Sequence, residues 1–414
     1  MLFSDLLVFA TTPTDWKNNM HARLLSQWLG NHAVIRHATR AAALVRVVGA
    51  LLTGGKLSLT HLGRSLDGAA HVKHQIKAVD RLLGNQHLHE ERDDIYRAIA
   101  ASLLQGIKRP IILVDWSDFE LGREWLMLKA ALPVKGRAIS LYERVFPFKR
   151  YNSPGAHREF LRALHAILPP GCNPIIVTDA GFRGPWFRAV EAYGWDWVGR
   201  VRNKIKYYRE ETGRWCFTDS LYRQATPNTR YVGQVALSKR HHYRFHLYLV
   251  RAYKTRIGRP PRRGPIRVND TLYRRLHRAP WLLATSLPHG RGSERRIKQI
   301  YTLRMQIEET FRDLKCHRWG FALRYARSTQ AKRLEILLLL GTLATLVAWL
   351  AGLAARHANQ HWHMQANTER RRPVLSIFFI GRLALSHLAD CIPIPAVAHA
   401  LVTLRGLILQ ALPS

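Results

Sequence analysis

The chain is poor in cysteine and in acidic residues, and each shortage excludes a class of protein. Its four cysteines, at positions 172, 216, 316 and 391, are scattered and form no CxxC pair. This spacing argues against a zinc ribbon or a disulfide scaffold and is typical of a reducing compartment. Lysine and arginine number 64 against 28 aspartates and glutamates, which gives a net charge of +36. Such an excess indicates a polyanionic partner, with nucleic acid as the commonest and an anionic membrane surface as the alternative.

Several motifs of nucleotide binding and nucleophilic catalysis are also absent. No Walker loop, GxGxxG run or Ser-His or Cys-His arrangement stands out. Without a phosphate-cradling loop, an ATPase is excluded. The N-terminus has a short apolar patch that contains Asp5 and has no leading Lys or Arg, so no targeting signal is predicted.

One long apolar run could cross a membrane or fill a core. Residues 336–355, ILLLLGTLATLVAWLAGLAA, are apolar over about the length that a bilayer requires. We predict a buried core helix, because a charged helix precedes the run after only a short link. A transmembrane helix is the alternative.

The length of 414 residues predicts two or three domains. The first part, to about residue 105, is predicted to be helical and suits a DNA-binding domain, although other helical bundles have the same pattern. Residues 205 to about 285 are predicted to be rich in β-strand and to contain a flexible basic loop, GRPPRRGP. That loop is interpreted either as an arm for the minor groove or as a solvated linker.

Two similar apolar segments each contain an aspartate. PIILVDWSD contains Asp115 and PIIVTDAGF contains Asp179. Short runs rich in β-branched residues predict strands in the middle of a sheet, and the segments around them predict an α/β layer sandwich with a mixed sheet. Taken alone, each aspartate is also explained as the cap of a following turn or helix. Asp118 is expected just past its strand, in a turn.

The segment YTLRMQIEETFRDLK, residues 301–315, predicts a helix with one polar edge. At about 100° per residue, Tyr301, Arg304, Glu308 and Lys315 lie on one narrow stripe beside an apolar face. One interpretation is a solvated face with ion pairs between neighbouring turns.

The other interpretation is catalytic. Asp115, Asp179 and Glu308, if the fold brings them together, can bind two divalent ions about 3.5–4 Å apart for phosphoryl transfer. Mg²⁺ suits such oxygen ligands, and the surplus of arginine and lysine would hold DNA phosphates around the site.

The spacing Y-(2)-R-(3)-E-(6)-K, together with ILVDWSD, VTDAGF, PWF and DRLLGNQHLH, resembles the motifs of the DDE transposases of the insertion-sequence-four family. The resemblance extends from about residue 40 to about residue 385. It implies an α/β protein with an RNase H-like catalytic core, in which a mixed sheet is flanked by helices and interrupted by a mostly β insertion, and with helical N- and C-terminal domains. The implied segments are a helical DNA-binding domain (1–105), the first part of the core (106–204), the insertion (205–285), the second part of the core with the glutamate helix (286–355) and a helical C-terminal region for dimerisation (356–414).

The resemblance also implies roles for individual residues. The family's acidic triad, which is catalytic and binds the metal, falls on Asp115, Asp179 and Glu308, with two Mg²⁺ ions for which Mn²⁺ can substitute. Residues that match DNA contacts near the cleaved end are Tyr301, Arg304, Lys315, Arg202 and Lys204. Trp281 matches a tryptophan that stacks on a flipped base in a related enzyme, with an ordinary core aromatic as the alternative. Met305 stands where that enzyme has a second tryptophan.

The expected activity is cut-and-paste transposition, in which a dimer acts on terminal inverted repeats and target DNA. The expected place is the cytoplasm of a bacterium, on the nucleoid and away from the membrane. The alternatives are a catalytically silent DNA-binding descendant, an RNase H-like nuclease or resolvase without strand transfer, and a membrane-associated protein.

Overall fold

The computed structural model describes residues 25–26, 28–30, 32, 34–119, 124–202, 205–209, 212–237, 243–251, 279–366, 368–369, 371–387 and 394–412. Lys204 and the basic run 258–265 lie outside these residues. The chain divides into two compact units. One comprises Met1–Ile99 and Arg312–Arg405, and the other comprises Ala100–Phe311 and Gly406–Ser414. This division is coarser than the five segments expected from the sequence, which stay predictions.

The second unit is built on a ten-stranded mixed sheet. Its strands are β1 (Ile111–Asp118), β2 (Trp125–Pro133), β3 (Ala138–Pro147), β4 (Ile175–Thr178), β5 (Asp196–Val201), β6 (Lys206–Arg209), β7 (Arg214–Phe217), β8 (Arg230–Leu237), β9 (Tyr243–Val250) and β10 (Trp281–Thr285). Their order across the sheet is β3-β2-β1-β4-β5-β10-β9-β8-β6-β7. β1, β4 and β5 are mutually parallel, whereas β2 and β3 are antiparallel to their neighbours. The order β3-β2-β1-β4-β5 with this pairing is the RNase H-like arrangement, and it confirms the predicted fold class.

β1 is longer than the sequence indicated, because β2 supplies an antiparallel partner along its second half. Asp115 pairs with Lys129, and Asp118 pairs with Leu126. The expectation that Asp118 lies past the strand in a turn is therefore wrong. Asp115 is an interior residue of β1 rather than its last.

The predicted insertion extends the core sheet. β10 pairs with β5 on one side and with β9 on the other, so the insertion strands continue the hydrogen-bonded ladder. The prediction of a mostly β segment holds over its described residues. β10 is buried in its last four residues and joins the core strand β5 to the insertion strand β9 through hydrogen bonds on both sides.

The described helices are α1 (Ala38–Leu52), α2 (Leu59–Arg64), α3 (Val72–Leu83), α4 (Gln86–Leu104), α5 (Pro154–Ile167), α6 (Gly184–Glu191), α7 (Ser293–Thr302), α8 (Met305–Lys315), α9 (Ala331–His357), α10 (Ile377–His387) and α11 (Ile394–Gln410). The single helix predicted over residues 301–315 is wrong, since α7 ends and α8 begins inside it. At the break, the N–H groups of Leu303, Arg304 and Gln306 bond to carbonyls three residues back. In this tighter winding residues three apart lie on the same side, so Tyr301 and Arg304 stay neighbours and each shifts the pKa of the other.

In the first unit, α9 is the long apolar run that the sequence interprets either as a membrane span or as a core helix. It is long and apolar enough to cross a membrane, but 89% of its most apolar stretch is buried inside the protein. The backbones of α9 and α10 are in close contact, as shown by Gly381 of α10: a Cβ on this residue would come within 1.7 Å of the carbonyl oxygen of Ala348 in α9. This burial supports the interpretation as a core helix.

His157, on α5, is enclosed by an aromatic cluster of the second unit. Its ring lies 6.0 Å from Trp116, 5.3 Å from Phe182 and 4.9 Å from Trp186, measured between ring centroids. Its Nε2 is buried and has no hydrogen-bond partner. Burial lowers the pKa of His157 to about 4, so the folded protein holds the imidazole neutral.

We expect acid to destabilise the protein through His157. The unfolded chain takes up a proton as the pH falls below about 6.5, whereas the folded protein takes it up only near pH 4. The free energy of unfolding should therefore fall between these pH values, by on the order of 3 kcal/mol. Urea unfolding over this range, for the wild type and for His157→Phe, measures the difference. Equal pH slopes for the two proteins would contradict this assignment.

Candidate active site

Asp115 lies within β1, and Asp179 is the first residue after the neighbouring parallel strand β4. The last residue pair of β1 with β4 is Val114 with Thr178, so the next residue along the chain on each side is an aspartate. The Asp115 Oδ1 accepts a hydrogen bond from the Trp116 N–H at 2.8 Å, and the Asp179 Oδ1 accepts one from the Gly181 N–H at 2.8 Å. The parallel register alone therefore brings the two predicted carboxylates to the same edge of the β1–β4 pairing.

Glu308 comes from α8, which hydrogen bonds hold against the β2–β3 hairpin. The Gln306 side-chain oxygen accepts from the Val134 N–H at 3.0 Å, and the Thr310 hydroxyl accepts from the Ala138 N–H at 2.8 Å. These two contacts lie on either side of Glu308 in the sequence. They set the position of the helix turn that carries its carboxylate, which is 43% exposed.

Arg304, in the turn between α7 and α8, bridges two of the three carboxylates. Its Nη1 lies 3.4 Å from Asp115 Oδ2, and its Nη2 lies 2.5 Å from Glu308 Oε1. Burial opposes the charge on Arg304, but Tyr301 and the two carboxylates outweigh it and raise its pKa. Arg304 is therefore a firmly charged counterion inside the site.

The pKa of Asp115 reflects both its burial and the charges around it. Burial raises it most, the neighbouring Asp179 raises it further, and Glu308 adds a smaller effect in the same direction. Arg304 and the Trp116 N–H oppose these effects, yet the pKa still rises to about 8. One positive side chain does not balance three carboxylates.

The donor set fits a hard divalent cation. All three predicted ligands offer carboxylate oxygens, which Mg²⁺ prefers. Burial first and the Asp179 charge second raise the pKa of Asp115, and a bound cation would favour its ionised form. Within the part of the chain that the structure describes, no group of three or more His, Cys, Asp or Glu side chains is close enough to hold a metal ion. Arg304 lies between Asp115 and Glu308 instead, with one oxygen of each carboxylate as its partner.

An aromatic and basic group lies on the β10 side of the carboxylates. The ring of Trp281 meets the ring of Tyr301 edge to face at 5.0 Å, and Tyr301 is buried. Burial raises the pKa of Tyr301, against the effects of Arg304 and Arg200. Arg200 donates to the Ala279 carbonyl at 3.1 Å. Arg200 was not singled out from the sequence, although it alternates with Arg202 in VGRVRNK and alternate strand residues share a face.

The remaining predicted DNA contacts lie in different environments. Arg202 is half-buried just after β5, and its charge is among those that lower the pKa of Arg200, after burial. Lys315 is buried in the last turn of α8, about 10 Å along the helix from Glu308. Lys204 lies outside the described residues. Contacts of these residues with DNA stay predictions.

A buried ion pair that was not predicted from the sequence lies in the strand row of Asp115. Lys129 pairs with Asp115 across β1 and β2 and with Glu143 across β2 and β3, so the three residues form one row. The Lys129 Nζ lies 2.7 Å from Glu143 Oε1, and the two side chains are 2% and 1% exposed. The ammonium also lies 5.1 Å from the centre of the Phe311 ring. The available signal was a lysine inside the apolar run WLMLKAALP.

The sheet order and the site define an RNase H-like protein whose candidate site is built from carboxylates. Residues 106–345 match the family described as Transposase DDE domain, and the chain belongs to that family. Asp115, Asp179 and Glu308 all fall inside the matched range. Transposases of this family use divalent metal ions.

No curated protein matches the chain. Among solved structures, the cryo-EM structure of the piggyBac transposase synaptic complex with hairpin DNA is similar over 96% of this chain and 84% of that chain. The sequence identity is 10% and the TM-score is 0.43.

Proposed function

We propose that this chain is a cut-and-paste DNA transposase in which Asp115, Asp179 and Glu308 are the catalytic carboxylates. The observation that supports it most is the register of β1 with β4, by which two aspartates follow the last residue pair. The Asp179 and Glu308 charges both act on Asp115, which is the electrostatic arrangement of a cation site. Membership of the transposase family supports DNA as the substrate.

We assign the three carboxylates to two Mg²⁺ ions, for which Mn²⁺ can substitute. When bound, the ions activate the attacking oxygen and stabilise the leaving oxygen of each phosphoryl transfer. Arg304, once released from a carboxylate, and Lys315 would contact the DNA phosphates near the cleaved end, as would Tyr301. Arg202 and Lys204 would add contacts to the transposon end.

The proposed reaction has four transfers at phosphorus. Water nicks the transposon end, the freed 3′-OH attacks the opposite strand to form a hairpin, water opens the hairpin, and the 3′-OH attacks target DNA. Each is an in-line displacement, so one set of carboxylates serves them all. Trp281 would stack on a base flipped out as the hairpin bends.

Within the family, we propose membership of the insertion-sequence-four group, with similarity to the transposase of bacterial transposon ten. The DNA partners would be the terminal inverted repeats and the target, bound by a homodimer on paired ends. The helical segment 1–105 would bind DNA and residues 356–414 would dimerise. The site of action would be the bacterial nucleoid.

The function is tested with purified protein, Mg²⁺ and labelled DNA that spans the junctions flanking its own gene. Glu308→Gln should lower the cleavage rate by about 10²-fold or more, because it removes a charge from the metal-binding set. Glu309→Gln is the control at the neighbouring position, since its half-buried carboxylate pairs with Arg137 at 3.5 Å and is not one of the three proposed ligands.

Each outcome has a defined meaning. Hairpinned ends from the wild type and from Glu309→Gln, with none from Glu308→Gln, would support the proposal. Nicked ends without hairpins would favour a nuclease without strand transfer. Binding without cleavage, in both Mg²⁺ and Mn²⁺, would favour a catalytically silent DNA-binding descendant.

A further inference from the structure

Two aromatic rings stand exposed directly after β3. The chain continues from this strand into a 3₁₀ turn, Phe148–Arg150, followed by Tyr151. Phe148 and Tyr151 are each 48% exposed, and their rings lie 6.3 Å apart and within 11° of parallel. Two large side chains that present their rings together to solvent form a patch that the core does not explain.

This pair lies beside the candidate active site. The Tyr151 ring packs edge to face on Trp116, the residue after Asp115, at 5.5 Å. Partial burial raises the pKa of Tyr151, and the charges of Asp179 and Asp115 raise it further, so both carboxylates lie within electrostatic reach of the phenol.

The next residue also faces the site. Asn152 has a φ of 52°, a left-handed conformation that asparagine tolerates better than most residues. A Cβ on Gly181 would lie 3.0 Å from Asp179 Oδ1 and 3.5 Å from Asn152 Nδ2, so the amide borders the turn that holds Asp179. Phe148 and Tyr151 therefore lie at the rim of the carboxylate site.

Basic residues flank the aromatic pair, and one of them is held in place by neighbouring side chains. The segment PFKRYN, residues 147–152, has Lys149 and Arg150 and no acidic residue. The Arg150 guanidinium lies 5.0 Å from the Phe146 ring centre and 2.7 Å from a Glu159 carboxylate oxygen. Two cations beside two stacked rings match a chain that is negative along its backbone and aromatic in its bases.

We propose that Phe148 and Tyr151 form a stacking platform for an unpaired nucleobase next to the scissile phosphate. This inference rests on the proposed function, since it takes DNA as the substrate of the neighbouring carboxylates. Bases of any identity stack on such rings, so the platform would hold the strand without reading its sequence. A base held there keeps the adjoining phosphate at the carboxylates while the duplex is opened or bent.

The platform is tested by binding, which does not depend on cleavage. The probe is a labelled duplex from the end of its own gene, closed by a hairpin loop, and a second copy whose loop nucleotides are abasic. The full-length wild type should bind the loop with bases about 10-fold more tightly than the abasic loop, as measured by fluorescence anisotropy. Tyr151→Ala should abolish that preference, whereas Tyr151→Phe should keep it.

Phe217→Ala is the control, because Phe217 is a comparably exposed aromatic, 45%, on β7. A purely structural role for Tyr151 would weaken binding to both probes equally and leave their ratio unchanged, which would overturn the platform. A wild type without any preference for bases would also overturn it. Loss of the preference in Tyr151→Ala alone would support it even if no cleavage occurs, so failure of the catalytic proposal is seen separately.

Discussion

Asp115→Asn should lower the rate of metal-dependent DNA cleavage by at least about 10³-fold and, in the same protein, raise the stability of the metal-free state. The catalytic loss follows because Asp115 has both Asp179 and Glu308 as electrostatic neighbours, which makes it the central carboxylate of the set. Metal-ion stabilisation of a transition state contributes several kcal/mol, and each 1.36 kcal/mol is a factor of ten in rate. The amide keeps an oxygen that can accept the Trp116 N–H bond, so the local backbone should be retained.

The gain in stability follows from the raised pKa of Asp115. The folded protein holds a proton on Asp115 up to about pH 8, whereas the unfolded chain loses it near pH 3.8. Between these values the folded state binds the extra proton, so the free energy of unfolding falls as the pH rises. Asparagine cannot ionise, so the variant should lack this fall. Each pKa unit is worth about 1.4 kcal/mol, and 1 kcal/mol moves the Tm of a 150–250-residue domain by about 2–4 °C.

Thermal unfolding in chelator at pH 5 and pH 8 measures this effect. The Tm of Asp115→Asn should exceed that of the wild type by several degrees at pH 8, and by less at pH 5. Asp118→Asn, on the same strand, serves as the control and should leave the cleavage rate and the pH dependence close to those of the wild type. A Tm difference that is the same at both pH values would contradict the electrostatic argument.

Lys129→Met should destabilise the protein by about 3–5 kcal/mol, the usual cost of breaking a buried ion pair. The Glu143 carboxylate is 1% exposed and has the Lys129 ammonium at 2.7 Å. Methionine fills the space of the aliphatic stem but leaves that carboxylate without its cation in a low-dielectric core. The row through Asp115, Lys129 and Glu143 would then contain two carboxyl groups and no cation.

The double variant Lys129→Met/Glu143→Leu separates charge from packing. Replacing both members of a buried pair with apolar residues is often neutral or stabilising. In urea unfolding, the free energy of unfolding of the double variant should therefore be well above that of Lys129→Met and near that of the wild type. If the double variant is as unstable as Lys129→Met, packing rather than the unpaired charge determines the loss.

The parts that could be predicted from the sequence are those with a local pattern. The β-branched runs before Asp115 and Asp179 predict two strands in the middle of a sheet. Their adjacency and parallel register, which align the two aspartates, come from the structure. The apolar spacing around Glu308 predicts a helix with one face in the core, and Ile307, Phe311 and Leu314 are indeed buried.

The parts that could not be predicted depend on partners distant in sequence. Nothing near Asp118 indicates that pairing with β2 extends β1 as far as this residue, and nothing within residues 301–315 indicates a break at Arg304. That break coincides with an ion pair to Asp115, 189 residues away. Arg200 and Tyr151 could not be recognised as site residues without the fold. The fold brings Arg200 near Tyr301 and brings Tyr151 near Asp179.

The position of β10 between β5 and β9 restricts how this protein can be shortened or diversified. An insertion that formed its own sheet could be excised as a cassette and replaced by a short linker. Here excision of β6 to β9 would strip β10 of its ladder with β9, from Trp281 to Thr285, and turn β10 into an open edge of the sheet. Open edges of apolar strands recruit other chains and aggregate. Changes in length should therefore be better tolerated in the loops between the insertion strands than in the strands, which are part of the central sheet.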